Sequence, residues 1–186
     1  MTRRLLAVLA LTLSTVAGAQ SNAVKLGRDF ATDDAHARLI AFNRFEEEVA
    51  PEARASALSD LWESVEGRPE AEAVRATVLA YLISRPAEKM PWDARLGRHV
   101  AEAGKAPSPG LRRLALNTFT RRGPQLAKEE TLSFLDDSDD AVRELAITEV
   151  SRWSDGKSVL RDYVTKHSRS SKHKGSVARA RFLLDK

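Results

Sequence analysis

Asp136-Asp137-Ser138-Asp139-Asp140-Ala141-Val142-Arg143-Glu144-Leu145-Ala146 is the stretch whose reading decides the fold of this chain. An acidic turn runs into residues with helical periodicity. Val142, Leu145, Ala146, Val150 and Trp153 fall on one face of a helix, and Arg143, Glu144 and Glu149 fall away from its centre. The small Ala146 allows a neighbouring helix to approach closely. An EF-hand loop starting at Asp136 would need glycine at its sixth position and glutamate at its twelfth. Ala141 and Ile147 stand there instead, so the carboxylates read as a turn that caps the following helix and complements its positive end.

The same pattern recurs upstream. Val74-Arg75-Ala76-Thr77-Val78-Leu79-Ala80-Tyr81-Leu82 and Leu111-Arg112-Arg113-Leu114-Ala115-Leu116-Asn117-Thr118-Phe119 align with Val142 to Val150. Each begins with an aliphatic residue and an arginine, and carries apolar residues four, five and eight places after the first. Val177 to Leu184 is a degenerate fourth copy, with its arginine displaced to Arg179. The offsets between copies are 37, 31 and 35 residues, a period that marks stacked helical hairpins. One hairpin cannot bury such a face alone, so its neighbours must cover it.

Outward from these copies, no segment alternates polar and apolar long enough for a strand. Helices are expected at about 33–48, 51–66, 70–84, 92–104, 109–122, 124–135, 139–153, 157–166 and 175–185. Gly67-Arg68-Pro69, Arg85-Pro86, Lys105 to Gly110 and Gly123-Pro124 supply the breaks. Thr32, Ser108 and Ser176 read as N-caps. The fold class expected is all-α, a short α-solenoid of antiparallel helical hairpins with about eight to nine helices.

The segment 136–146 resembles a HEAT or HEAT-like (PBS-lyase type) repeat, in which an aspartate-containing turn precedes a helix opening with valine and arginine and carrying a later alanine. The second helix of the pair would be Gly156 to Lys166. The resemblance covers residues 68–186 and is best over 108–166. Two copies depart from it: Val78 replaces the alanine of the first, and Pro107-Ser108-Pro109-Gly110 precedes the second without an aspartate. The resemblance implies protein–protein contact through the groove of stacked helices. Arg75, Arg112 and Arg143 would be structural, each tying its helix to a neighbouring turn, with Ala115 and Ala146 at close helix contacts.

Residues 1–19 read as a cleavable signal peptide of bacterial type. Arg3 and Arg4 precede the apolar run Leu5 to Ala17, and Ala17-Gly18-Ala19 sets cleavage before Gln20. That run is 13 residues long, and a bilayer core needs ~20, so no transmembrane span is expected after leader cleavage. The short n-region favours the general secretory route over the twin-arginine one. The expected location is periplasmic or secreted, with residues 20–186 forming a single helical-repeat domain. The chain has no cysteine, which leaves packing alone to hold the domain and removes thiolate nucleophiles and cysteine metal sites.

Charge is unevenly distributed. Residues 161–186 carry eight Lys/Arg and two Asp, whereas 20–160 carry 20 Lys/Arg and 24 Asp/Glu. Within the basic end, Lys166 to Lys174 holds four Lys/Arg and no acid, with Lys166, Arg169, Lys172 and Lys174 as candidate contacts to an anionic partner. No aromatic residue interleaves them, so base stacking is not expected and nucleic acid is a poor candidate. Acidic proteins or anionic lipid headgroups fit better.

The remaining features read as structural. His36, His99, His167 and His173 show no metal-binding spacing on one helical turn, and His167 and His173 read as solvated loop residues. Consecutive Glu46, Glu47 and Glu48 point in different directions on a helix and cannot converge on a substrate. Trp62, Trp92 and Trp153 occupy apolar positions and read as packing. No Gly-x-Ser-x-Gly or phosphate-loop motif occurs. No catalytic, cofactor-binding or metal residue is therefore expected. The function expected is an exported, non-enzymatic binding or scaffold module for a protein partner. The alternative is a nucleic-acid or anionic-surface binder using the basic C-terminal region, since some HEAT-like proteins are DNA glycosylases; a helical enzyme without recognisable motif ranks third.

Overall fold

The computed structural model describes residues 29–32, 34–123 and 128–186. The expected leader, its expected cleavage point before Gln20 and the expected helix start at Pro124 lie outside the described residues. Among the described residues there are nine α-helices and no strand: α1 Ala35–Glu48, α2 Arg54–Ser64, α3 Ala71–Ile83, α4 Ala94–Ala103, α5 Pro109–Arg121, α6 Lys128–Ser133, α7 Asp140–Val150, α8 Gly156–His167 and α9 Lys174–Leu184. Short 3-10 turns at Pro51–Ala53, Ala87–Lys89, Phe134–Asp136 and Ser171–His173 fill four of the connections. No helix among the described residues is long and apolar enough to cross a membrane.

The all-α reading holds, and the helix breaks follow local chemistry. Gly67 adopts φ 71° after α2, a conformation open to glycine at no steric cost. Pro109 opens α5 in its first turn. The caps differ in detail. Ser108 precedes α5 but makes no side-chain cap bond. Asp34, rather than Thr32, caps α1, accepting from the Ala37 N–H at 2.6 Å. Ser176 is no cap; it lies within α9, fully buried, because its hydroxyl serves the network described below.

The described residues form two compact units within the stretch whose length reads as one domain: those up to Tyr81 with Pro91–His99, and those of Leu82–Met90 with Val100–Lys186. In the first, Tyr81 packs edge-on against Phe42 and Phe45, each at 5.2 Å between ring centroids, and Phe30 closes the cluster. The Tyr81 hydroxyl donates to Glu46 Oε1 at 2.9 Å, so the first of the three glutamates serves the rim of the core while Glu47 and Glu48 are exposed. Trp62 stacks on the His99 imidazole, and Glu63 receives both His99 and Arg95. Arg54 satisfies the carbonyls of Glu46 and Val49 at the end of α1.

The second unit is built around α7, which packs against α5, α6, α8 and α9. Its core is Leu111, Ala115, Leu116 and Phe119 from α5; Val142, Ala146, Ile147 and Val150 from α7; Leu160 and Tyr163 from α8; and Val177 and Ala180 from α9. The buried face of α7 is rotated from the expected one. Ile147 and Arg143 are buried, and Leu145 and Trp153 are only partly covered. The turn into α8 requires glycine: a Cβ at Gly156 would stand 2.0 Å from the Val150 carbonyl oxygen.

Candidate functional site

The acidic turn before α7 is the anchor of the second unit, and its four carboxylates do four different things. Asp139 caps α7, accepting from the Val142 N–H at 3.1 Å. Asp137 receives Arg112 through two bonds, Nε to Oδ2 at 2.8 Å and Nη2 to Oδ1 at 2.9 Å. Asp140 receives Arg143 at 2.7 Å. Asp136 receives Lys166 on Oδ2 at 2.7 Å and faces His167 with Oδ1.

Arg143 is the largest fully buried side chain. Its position near the polar edge of the helix was expected; its burial corrects that reading, and the hydrogen bonds supply the reason. The guanidinium donates to the carbonyls of Asp137 (2.6 Å), Ser138 (3.1 Å) and Lys172 (2.7 Å), to Asp140 Oδ1, and to Ser176 Oγ at 3.3 Å. Five donors meet five acceptors, which offsets the cost of removing the charge from water. Arg112 repeats the arrangement one copy earlier, donating to the carbonyls of Ala106 and Pro107 at 2.8 Å and to the turn of the next copy through Asp137 and Ser138. Arg75 departs from it: its guanidinium lies over the Trp62 ring and 3.4 Å from Glu66, with Nε buried and unbonded.

The Lys172 carbonyl brings the turn between α8 and α9 into this network. Ser176 Oγ donates to the His173 carbonyl at 3.0 Å, so its remaining interactions, with Arg143 and Tyr163, are accepted. Tyr163 therefore spends its only proton on Ser176, at 2.8 Å. Its contact with His173 Nδ1 at 2.9 Å must then be donated by the imidazole. This assigns the His173 tautomer: Nδ1 carries the proton, and Nε2 carries the lone pair. Burial first, then the neighbouring His167 and Arg143, holds His173 below the usual imidazole range and keeps it neutral. Burial likewise raises the Tyr163 hydroxyl above its ordinary value.

His167 and His173 are thus not solvated loop residues. Their rings stack at 4.0 Å between centroids, and both are largely buried, because the 3-10 turn at 171–173 folds His173 back under the end of α8.

Against this frame lies an open cleft of about 440 Å³, lined by His167, Ser168, Arg169, Ser170, Ser171, Lys174, Val177, Ala178 and Arg181. Three guanidinium or ammonium groups and three serine hydroxyls border a lining that is otherwise mostly apolar. Of the four expected anion contacts, Arg169 and Lys174 line the cleft. Lys166 does not; its ammonium is paired with Asp136. Lys172 has an exposed side chain away from the lining, and contributes its backbone to Arg143. Sequence reasoning missed Arg181, although Lys174, Val177, Ala178 and Arg181 have the spacing of a single helical face.

No family model matches the chain, and neither a curated protein nor a solved structure matches it.

Proposed function

We propose that this chain is an exported, non-enzymatic binding module of HEAT-like helical hairpins that holds an acidic segment of a partner protein in the cleft between the end of α8 and α9. The observation that carries this reading is the lining of the cleft: Arg169, Lys174 and Arg181 around Ser168, Ser170 and Ser171, with Val177 and Ala178 between them. Carboxylates match such cations, serine hydroxyls add neutral hydrogen bonds, and the apolar part of the lining accommodates side-chain stems. The lining contains no Phe, Tyr or Trp for a base to stack on. The repeated use of Arg112 and Arg143 to bind the preceding carbonyls and the next turn supports the HEAT-like reading. The leader at 1–19 supports export.

The test is fluorescence anisotropy with a labelled Glu/Asp-rich peptide. Wild type binds it at low salt. Arg169→Ser/Lys174→Ser/Arg181→Ser weakens binding by about 3- to 150-fold, since exposed ion pairs contribute roughly 0.2–1 kcal/mol each. Equal binding by the variant, or preferential competition by single-stranded DNA or anionic vesicles, would reject the acidic-protein reading.

A further inference from the structure

Asp136, His167 and His173 place one carboxylate oxygen and one nitrogen of each imidazole within 4.8 Å of one another. They come from three separate segments: the 3-10 turn before α7, the end of α8, and the 3-10 turn before α9. We propose that these three residues form a binding site for a divalent transition ion of the zinc type, a property independent of the cleft's partner.

Three features of the cluster point to a cation rather than to an ordinary polar contact. His167 Nε2 is buried and has no hydrogen-bond partner; it approaches Asp136 Oδ1 at 2.9 Å without the alignment of a hydrogen bond. A nitrogen and a carboxylate oxygen side by side in this way can both turn to a shared ion. Second, the bond to Tyr163 occupies His173 Nδ1 and leaves the lone pair on Nε2, the form a metal-ligating imidazole requires, with Tyr163 in the orienting role that outer-shell groups play. Third, Lys166 holds Asp136 Oδ2, which limits the carboxylate to ligation through Oδ1. Donors around one zinc-sized ion lie about 2.0–2.2 Å from it. Two imidazoles and a carboxylate suit zinc and its neighbours in the first transition row, whereas calcium and magnesium select oxygen donors. With three protein ligands, a fourth position is left for water or for a carboxylate of a bound ligand.

The experiment uses the untagged full chain, stripped with a chelator, and Zn²⁺ alone as probe in competition with a chromophoric chelator. The expected result is one equivalent of Zn²⁺ per chain, a rise in Tm on addition, and no response to Ca²⁺ or Mg²⁺. Asp136→Asn and His167→Gln abolish stoichiometric uptake while keeping the helical circular-dichroism spectrum. Tyr163→Phe weakens it by about 10- to 100-fold, and His36→Gln, a surface histidine, leaves it unchanged. Absence of stoichiometric uptake by wild type, or undiminished uptake by folded Asp136→Asn and His167→Gln, overturns the proposal.

Discussion

Arg112 and Asp137 form a two-pronged ion pair with less than a tenth of either side chain exposed, and the carbonyl of the same Asp137 receives Arg143. One residue of the acidic turn is thus gripped by arginines of two helices, α5 and α7. Removing one partner of a buried pair leaves an uncompensated charge, which costs about 3–5 kcal/mol. Arg112→Met should lower the urea midpoint accordingly. A loss under about 1 kcal/mol would show that the pair is not what holds the turn.

Ala146 is fully buried in α7, whereas Ala141 at the start of the same helix is exposed. Ala146→Leu should overpack the core by about 1–3 kcal/mol, and Ala141→Leu should change stability much less. Chemical denaturation of the two variants side by side measures this. Equal, small effects would mean that the buried face of α7 is wrongly assigned.

Gly156 is required by backbone proximity rather than by conformational freedom. A methyl group there meets the Val150 carbonyl oxygen at 2.0 Å, and backbone cannot yield as a flexible side chain would. Gly156→Ala should therefore destabilise by about 1–3 kcal/mol despite the higher helix propensity of alanine. Gly110→Ala, whose Cβ would meet only Ser108 Oγ at 3.5 Å, is the control and should melt close to wild type.

Glu63 links stability to pH in the first unit. Its hydrogen bond to Arg95, with a smaller contribution from His99, holds the carboxyl below its ordinary value of 4.5. A carboxyl depressed in the folded state stabilises at pH above its unfolded value, and that contribution is lost as pH falls through the folded value. The stability gap between wild type and Glu63→Gln should thus be present at pH 6 and shrink as pH falls below about 4.5. The gap should be small, because about half of the side chain is exposed to screening. A gap that widens on acidification would contradict the assignment.

The helices were legible because their breaks rest on local chemistry, as at Gly67 and Pro109, and because the Val-Arg copies mark where the core lies. The structural use of Arg112 and Arg143 followed from the same copies. Arg75 did not, because Trp62 and Glu66 offer its guanidinium different partners. The burial of Arg143 was hidden because side-chain type alone places arginine at the surface; the acceptors from the preceding turn, Asp140, Lys172 and Ser176 make its interior position favourable. His167 and His173 escaped notice for another reason. Six residues apart and across a loop, they share no helical face, and the 3-10 turn that stacks them on Asp136 leaves no periodic trace. Within the basic stretch the signal was compositional, so it marked Lys166 and Lys172 along with Arg169 and Lys174 and could not tell which cations line one cleft.

The most direct test of the central claim is amide chemical-shift mapping of the isotopically labelled full chain during titration with a Glu/Asp-rich peptide at low salt. The cleft account predicts shifts concentrated at Ser168–Ser171, Lys174, Ala178 and Arg181, fading as salt rises past about 0.15 M, where the screening length is ~8 Å. Shifts spread over other helices, or a saturating response that leaves these residues unmoved, would contradict it.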